Sequence, residues 1–177
     1  MNYCSECGQE VTLKVPPGDN LPRHVCNECG VIHYRNPKIV AGAVLEYQGR
    51  ILMCRRAIEP RYGLWTVPAG FMENAETVKQ AAARETWEEA RAVASEIELY
   101  GVYNLPHVSQ VYVMFQGRLD KPEFSAGPES LEVELMDESE IPWDDMAFKV
   151  VTMTLKKYFA DRKQGDFRAF TDDVIVK

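Results

Sequence analysis

GFMENAETVKQAAARETWEEARA, residues 70–92, is the stretch on which the fold turns. Its alanines and straight-chain residues favour a helix, predicted from about Ala75 to Ala92 with Asn74 as N-cap. At about 100° per residue, Glu85, Glu88 and Glu89 share one arc roughly 100° wide, and Val78, Ala81 and Ala82 point into it one to two turns earlier. Gln80, Arg84, Trp87 and Arg91 take the opposite side. A stripe that begins apolar, and so should face a sheet, ends in clustered acids. Like charges at i, i+3 and i+4 repel, and partial burial makes that worse. Either the acids form a solvated face, or a cation compensates them. Lys or Arg could do so, but hard divalent ions such as Mg2+ or Mn2+ prefer several carboxylate oxygens and leave positions for water and phosphate. Just ahead, Trp65 to Phe71 reads as a strand ending in a Pro/Gly turn, which can bring backbone and a helix N-terminus against an anionic ligand.

Upstream of this stretch, Ile39 to Tyr47 is an apolar, β-branched strand, and Gln48-Gly49 is a turn signal between it and a second strand, Ile51 to Arg56. Further strands are predicted at Gly63 to Val67, Ile97 to Tyr103, Val111 to Leu119 and Leu131 to Met136. A second helix is expected from about Asp144 to Arg162, with Ala147, Val150, Val151, Leu155, Tyr158 and Phe159 as its apolar stripe. Strands in meander order with separated helices imply an α/β fold, a mixed sheet covered by helices. Cys54 reads as a small buried hydrophobe.

Arg35-Asn36-Pro37 marks a joint, dividing a first domain at residues 1–36 from a second at 37–177. The first carries Cys4-x2-Cys7 and Cys26-x2-Cys29, with eighteen residues between the pairs, the spacing of a four-thiolate zinc ribbon. Gly8 and Gly30 follow the pairs and suit tight turns that aim backbone amides at sulfur. A segment this short cannot build an adequate core, so a structural metal would supply its folding energy. Iron in the same site and two disulfides are the alternatives, the latter opposed by a reducing compartment. His24 and His33 read as ordinary polar residues beside a saturated site.

The 177 residues suffice for one ordinary core and a small satellite, and a net charge of -7 argues against a general DNA binder. Positions 1 to 40 carry four acidic and four basic residues, so the ribbon lacks a basic footprint. No apolar run approaches the roughly 18 residues of a membrane span, and the N-terminus lacks a signal-peptide layout, so the expectation is a cytoplasmic protein without a membrane partner.

Residues 70–92 resemble the Nudix box, G-x5-E-x7-R-E-U-x-E-E-x-G-U, with Gly70, Glu76, Arg84, Glu85, Glu88 and Glu89 in register. Thr86 and Ala92 stand where bulkier aliphatics are usual, and Arg91 replaces the closing glycine. With the cysteines, the whole chain is similar to zinc-ribbon Nudix hydrolases. It is most like the plant-type FAD and ADP-ribose pyrophosphatases through Tyr34 to Lys38, Gly63 to Thr66, Arg84 to Glu89 and Gly127 to Glu132. It is also related to the NADH pyrophosphatases, whose Ser-Gln-Pro-Trp-Pro-Phe-Pro motif appears here only as Ser109-Gln110 followed by Val-Tyr-Val.

This resemblance implies an α/β/α sandwich behind the ribbon, and Mg2+- or Mn2+-dependent hydrolysis of a nucleoside diphosphate linked to another moiety, releasing AMP. It implies Glu85, Glu88 and Glu89 as metal ligands, with one of them or a later acid as base. Arg84 would orient them through Glu76, and Gly70 would lend a carbonyl. Glu129 matches a further metal ligand of the relatives, with Glu132 behind it. Adenine would stack on Tyr112 or Phe115, and Cys4, Cys7, Cys26 and Cys29 would hold zinc. His107 and Ser109 lack a nucleophile-elbow context, so serine hydrolysis has no support. The partners implied are a small nucleotide substrate and a second copy in a homodimer. The alternatives are an inactive nucleotide-sensing Nudix module, and a hydrolase of NADH or of NAD caps on RNA.

Overall fold

The computed structural model describes residues 1–175. The chain divides into two compact units, one of residues 1–37 and a second beginning at Lys38.

In the first unit β1 (Val11–Lys14), β2 (Arg23–Cys26) and β3 (Ile32–His33) form an antiparallel sheet in that order. Its buried apolar residues are Cys4, Pro16, Val25 and Cys26, too little apolar surface to stabilise a sheet alone. Two matching turns carry the cysteines. Gly8 donates its amide to the Cys4 carbonyl (3.0 Å) and Gly30 to that of Cys26 (3.2 Å), both glycines in the left-handed region at φ 74° and 70°.

The second unit is built on a mixed sheet. It comprises β4 (Lys38–Tyr47), β5 (Arg50–Arg56), β6 (Trp65–Thr66), β7 (Ala69–Phe71), β8 (Ala94–Leu105), β9 (Gln110–Leu119), β10 (Ser130–Met136) and β11 (Phe170–Asp173). The order is β10-β5-β4-β9-β8-β11, with β6 on β5 and β7 on β4. β4 runs parallel to β9 and β11 parallel to β8, while the other pairs are antiparallel. The β4–β5 hairpin closes through Gln48 and Gly49, both at positive φ (49° and 84°), as a two-residue loop requires.

Alternation along the strands sends two apolar sets to opposite faces. Ala41, Ala43, Leu45, Leu52 and Phe115 meet Ala81, Ala82 and Ala90 of α1 (Val78–Ala90). Val40, Val44, Met53, Tyr112 and Met114 meet Val150, Val151, Leu155 and Phe159 of α2 (Lys149–Gln164). The result is an α/β/α sandwich. Small alanines on both α1 and β4 bring that helix close to the sheet.

Several expected boundaries move. α1 starts at Val78, not Ala75, because Thr77 rather than Asn74 caps it: Thr77 Oγ1 accepts from the Gln80 amide (3.2 Å) while Gln80 Oε1 accepts from the Thr77 amide (2.8 Å). Ala75 sits at φ 66°, outside any helix. At the other end Arg91 itself adopts the left-handed cap at φ 50°, its amide bonded to the Trp87 carbonyl at 2.9 Å, so the missing glycine is tolerated. α2 begins at Lys149, since Phe148 is extended and only a 3-10 turn, Trp143–Asp145, precedes it. The strand expected over Gly63 to Val67 shrinks to Trp65–Thr66, and β7 and β11 were not foreseen.

Candidate functional site

The inner face of α1 sets two of its acids, Glu85 and Glu89, against β7. Glu85 and Glu89 are buried, at 8% and 4% exposure, whereas Glu88 faces outward. The Ala69 amide donates to Glu89 Oε2 at 3.2 Å. Gly70 lies so close to Glu85 that any side chain there would overlap its carboxylate, which gives the glycine a packing reason.

Arg84 ties the group together. Its Nε and Nη2 grip both Glu76 oxygens at 3.1 and 2.8 Å, Nη1 reaches Glu85 Oε1 at 2.7 Å and Glu88 Oε2 at 2.9 Å, and Nη2 reaches the Phe71 carbonyl at 3.0 Å. The bidentate Glu76 pair fixes the guanidinium plane. Those partners push the Arg84 pKa upward, Glu76 most of all. Among the described residues Glu89 forms no ion pair with Arg84 or another cation, although the Arg56 charge acts against its upward shift. Burial raises the Glu85 pKa and pushes that of Glu89 up to about 8, the neighbouring Glu85 and Glu129 charges adding to it.

These side chains line a cavity of about 490 Å³. Of the residues singled out in the sequence, Gly70, Arg84, Glu85, Glu88, Glu89, Tyr112 and Glu129 all border it. Glu129 arrives on the loop before β10. That loop is held where the Gly127 amide donates to the Glu89 carbonyl (2.9 Å), with Gly127 packed so tightly on the Glu88 carbonyl that a Cβ would collide. The Ala57 amide donates to the Glu129 carbonyl at 2.8 Å. Phe115 is not brought to the cavity. Odd residues of β9 face α1 and even ones the other layer, so Phe115 is core under α1 while Tyr112 reaches the cavity. Glu132 also points elsewhere, pairing with Arg55 at 3.4 Å.

Sequence reasoning missed the apolar end of the cavity: Val40, Ile58, Pro60, Phe148 and the nearby Arg56. Arg56 is buried, donates Nε to the Pro60 carbonyl (3.0 Å) and lies over the Phe148 ring at 5.1 Å. Phe148 is about ninety residues from Arg56 in sequence, and no local pattern joins them.

In the first unit the cysteine sulfurs all lie within 4.8 Å of one another. Neighbouring sulfurs are 3.5 to 3.7 Å apart, close to the roughly 3.8 Å edge of a tetrahedron with Zn–S of about 2.3 Å. Amides of Cys29 and Glu28 pointing at Cys26 hold its thiol down to about 6, while the Cys26 sulfur beside them pushes the Cys7 and Cys29 thiols up, so that without an ion the first proton to leave the cluster is that of Cys26. The donor set fits zinc. Among the described residues it is the one group of three or more such side chains whose donor atoms converge this closely; the glutamates share a cavity without meeting at a point. Their chemistry, hard oxygens with one buried acid that forms no ion pair among the described residues, fits a magnesium-class ion.

A zinc-ribbon profile, Nudix N-terminal, matches residues 2–35, and the NUDIX domain profile matches residues 35–155. The chain belongs to the NUDIX family. Its fold is similar to the crystal structure of a NUDIX hydrolase from Nitrosomonas europaea, with TM-score 0.92 and 51% identity over 98% of this chain and 100% of that one. The NUDIX relatives include an ADP-ribose pyrophosphatase from Methanocaldococcus jannaschii, 30% identical over 62% of this chain and 67% of its own. An NAD-capped RNA hydrolase NudC from Vibrio cholerae is 29% identical over 71% of this chain, which spans 46% of that protein. Among the described residues no helix is long and apolar enough to cross a membrane.

Proposed function

We propose that this NUDIX protein hydrolyses the pyrophosphate bond of a nucleoside diphosphate linked to another moiety, with FAD and ADP-ribose as the first candidates. The observation that carries the reading is the pair of buried acids, Glu85 and Glu89, set beside Gly70 in one cavity and backed by the Arg84 clamp. The archaeal ADP-ribose pyrophosphatase and the NudC relatives support the same reaction class.

Glu85, Glu88, Glu89 and Glu129 would hold Mg2+ or Mn2+, with the Gly70 carbonyl beside them. Such ions, when bound, neutralise the two phosphates and polarise the phosphoryl group. The chain's own residues do the rest. Arg84 fixes the orientation of Glu85 and Glu88. Tyr112 and Phe148 supply apolar surface for a base, and Arg56, between that end and the acids, offers a cation to phosphate. An attacking water forms the new P–O bond, the bridging oxygen leaves with its electron pair, and an exposed carboxylate, Glu88 or Glu129, takes the water's proton. AMP and a second phosphate are the products.

With this reading go zinc in a ribbon of residues 1–36, the hydrolase domain over 37–177, a small nucleotide rather than DNA as partner, a homodimer and a cytoplasmic location. The NudC relatives favour a second substrate reading, NADH or an NAD cap on RNA.

The test is a panel of FAD, ADP-ribose, NADH and diadenosine compounds with Mg2+ or Mn2+, followed by AMP release. Glu89→Gln should lower kcat by roughly 10²–10⁴-fold with the fold intact. Binding without turnover across the panel would instead mark a sensor, and an unchanged rate in Glu89→Gln would remove that residue from the site.

A further inference from the structure

The ribbon holds a contact that its four cysteines do not account for. His33 sits on β3 directly across from His24 on β2, and its Nε2 lies 3.3 Å from the Cys4 sulfur. It is not a further ligand of the cluster, whose mutually close donor atoms are the cysteine sulfurs.

A thiolate has no proton to give, so a ring nitrogen in this contact with it must carry the hydrogen. The need for that donor follows from burial. Four thiolates around one dication leave net negative charge, which Cys7 and Cys29, being exposed, share with water. Cys4 and Cys26 are buried and must find donors within the protein. Cys26 takes the Cys29 amide at 3.5 Å. Cys4 takes the Glu6 amide at 3.4 Å and, beyond that, the imidazole of His33. Among the described residues, no other non-cysteine side chain bonds a ribbon sulfur.

We propose that His33 is a positioning residue of the ribbon's metal centre, donating Nε2–H to the Cys4 thiolate and thereby retaining the zinc. The proposal rests on the zinc reading of the cysteine cluster. Partners that orient and charge-balance metal ligands typically change metal affinity about 10–100-fold when removed.

The test compares zinc release from the full chain to a chromogenic chelator in wild type, His33→Phe and His33→Gln. Phe keeps the ring without the donor, and the Gln amide nitrogen comes near the position of Nε2. His33→Phe should release zinc about tenfold faster or more, with His33→Gln near wild type. In cobalt-substituted protein, His33→Phe should move the thiolate-to-metal charge-transfer band to lower energy, and Gln should restore it. Equal release from wild type and Phe, or equal loss in Phe and Gln, would overturn the role. Should the Phe variant fail to fold, the nitrogen-15 spectrum of zinc-loaded wild type still decides: Nε2–H on His33 supports the proposal, and a bare Nε2 sinks it. Purified wild type without zinc would be a failure of the ribbon reading, visible before any variant is made.

Discussion

In the ribbon the neighbouring sulfurs stand 3.5 to 3.7 Å apart, and the only buried aliphatic side chains of that unit are Pro16 and Val25. In the cavity, Glu85 and Glu89 lie beneath a sheet that has an apolar layer on each face and owes nothing to a metal for its packing. Both regions gather groups that carry like charge when ionised, with opposite consequences. The ribbon spends its metal on folding. The larger unit folds on its own core and carries buried acids as a cost, which a bound cation would offset. The first site should therefore fail structurally when a ligand is removed, and the second should become more stable while losing function.

The largest effect expected from that contrast is in the ribbon. Cys26→Ser should cut zinc from one per chain toward none and abolish amide-exchange protection in residues 1–37, leaving the second unit protected. Ribbon protection that survives would break the contrast. Within the second unit, Phe115→Ala should cost about 3–5 kcal/mol in urea unfolding with KM nearly unchanged, since the ring is core under α1.

Glu89 gives a smaller effect of the opposite sign. Its folded pKa, about 8, lies above the ordinary 4.5, so the fold loses stability as pH rises from that ordinary value through 8. Without added Mg2+ or Mn2+, Glu89→Gln should then stabilise the protein at pH 8 by on the order of 2 kcal/mol, roughly 4–8 °C in Tm. At about pH 4 the gain should vanish, because the carboxyl is largely protonated in both states. A lower Tm in the variant at pH 8 would show that the acid is not a burden. The smallest change is Tyr112→Ala, expected to raise KM about tenfold, near 1.4 kcal/mol, if the ring carries a substrate base. An unchanged KM would leave Tyr112 as packing alone.

The sequence went far because both sites are written locally. Two Cys-x-x-Cys pairs each encode a turn, and the acids of residues 85–89 lie on one stretch of helix whose phase follows from 3.6 residues per turn. α1 was misjudged at its start, where Asn74 and Thr77 both had capping chemistry and the reciprocal bonds of Thr77 and Gln80 prevailed. At its end a missing glycine hid the fact that Arg91 could adopt the same backbone.

Local sequence thus carried the chemical types and their grouping: four cysteines at the spacing of a zinc ribbon, three acids on one arc of a helix, and an α/β frame from the periodicity of its segments. Packing in three dimensions sets which face each β9 aromatic serves, that Glu129 and not Glu132 turns to the cavity, and that Arg56 meets Phe148. The reason is one of range. Helix phase and turn geometry are set within a few residues, whereas the side of a sheet that holds a cavity depends on register between strands and on loops such as that of Gly127, which dock across long separations in the chain.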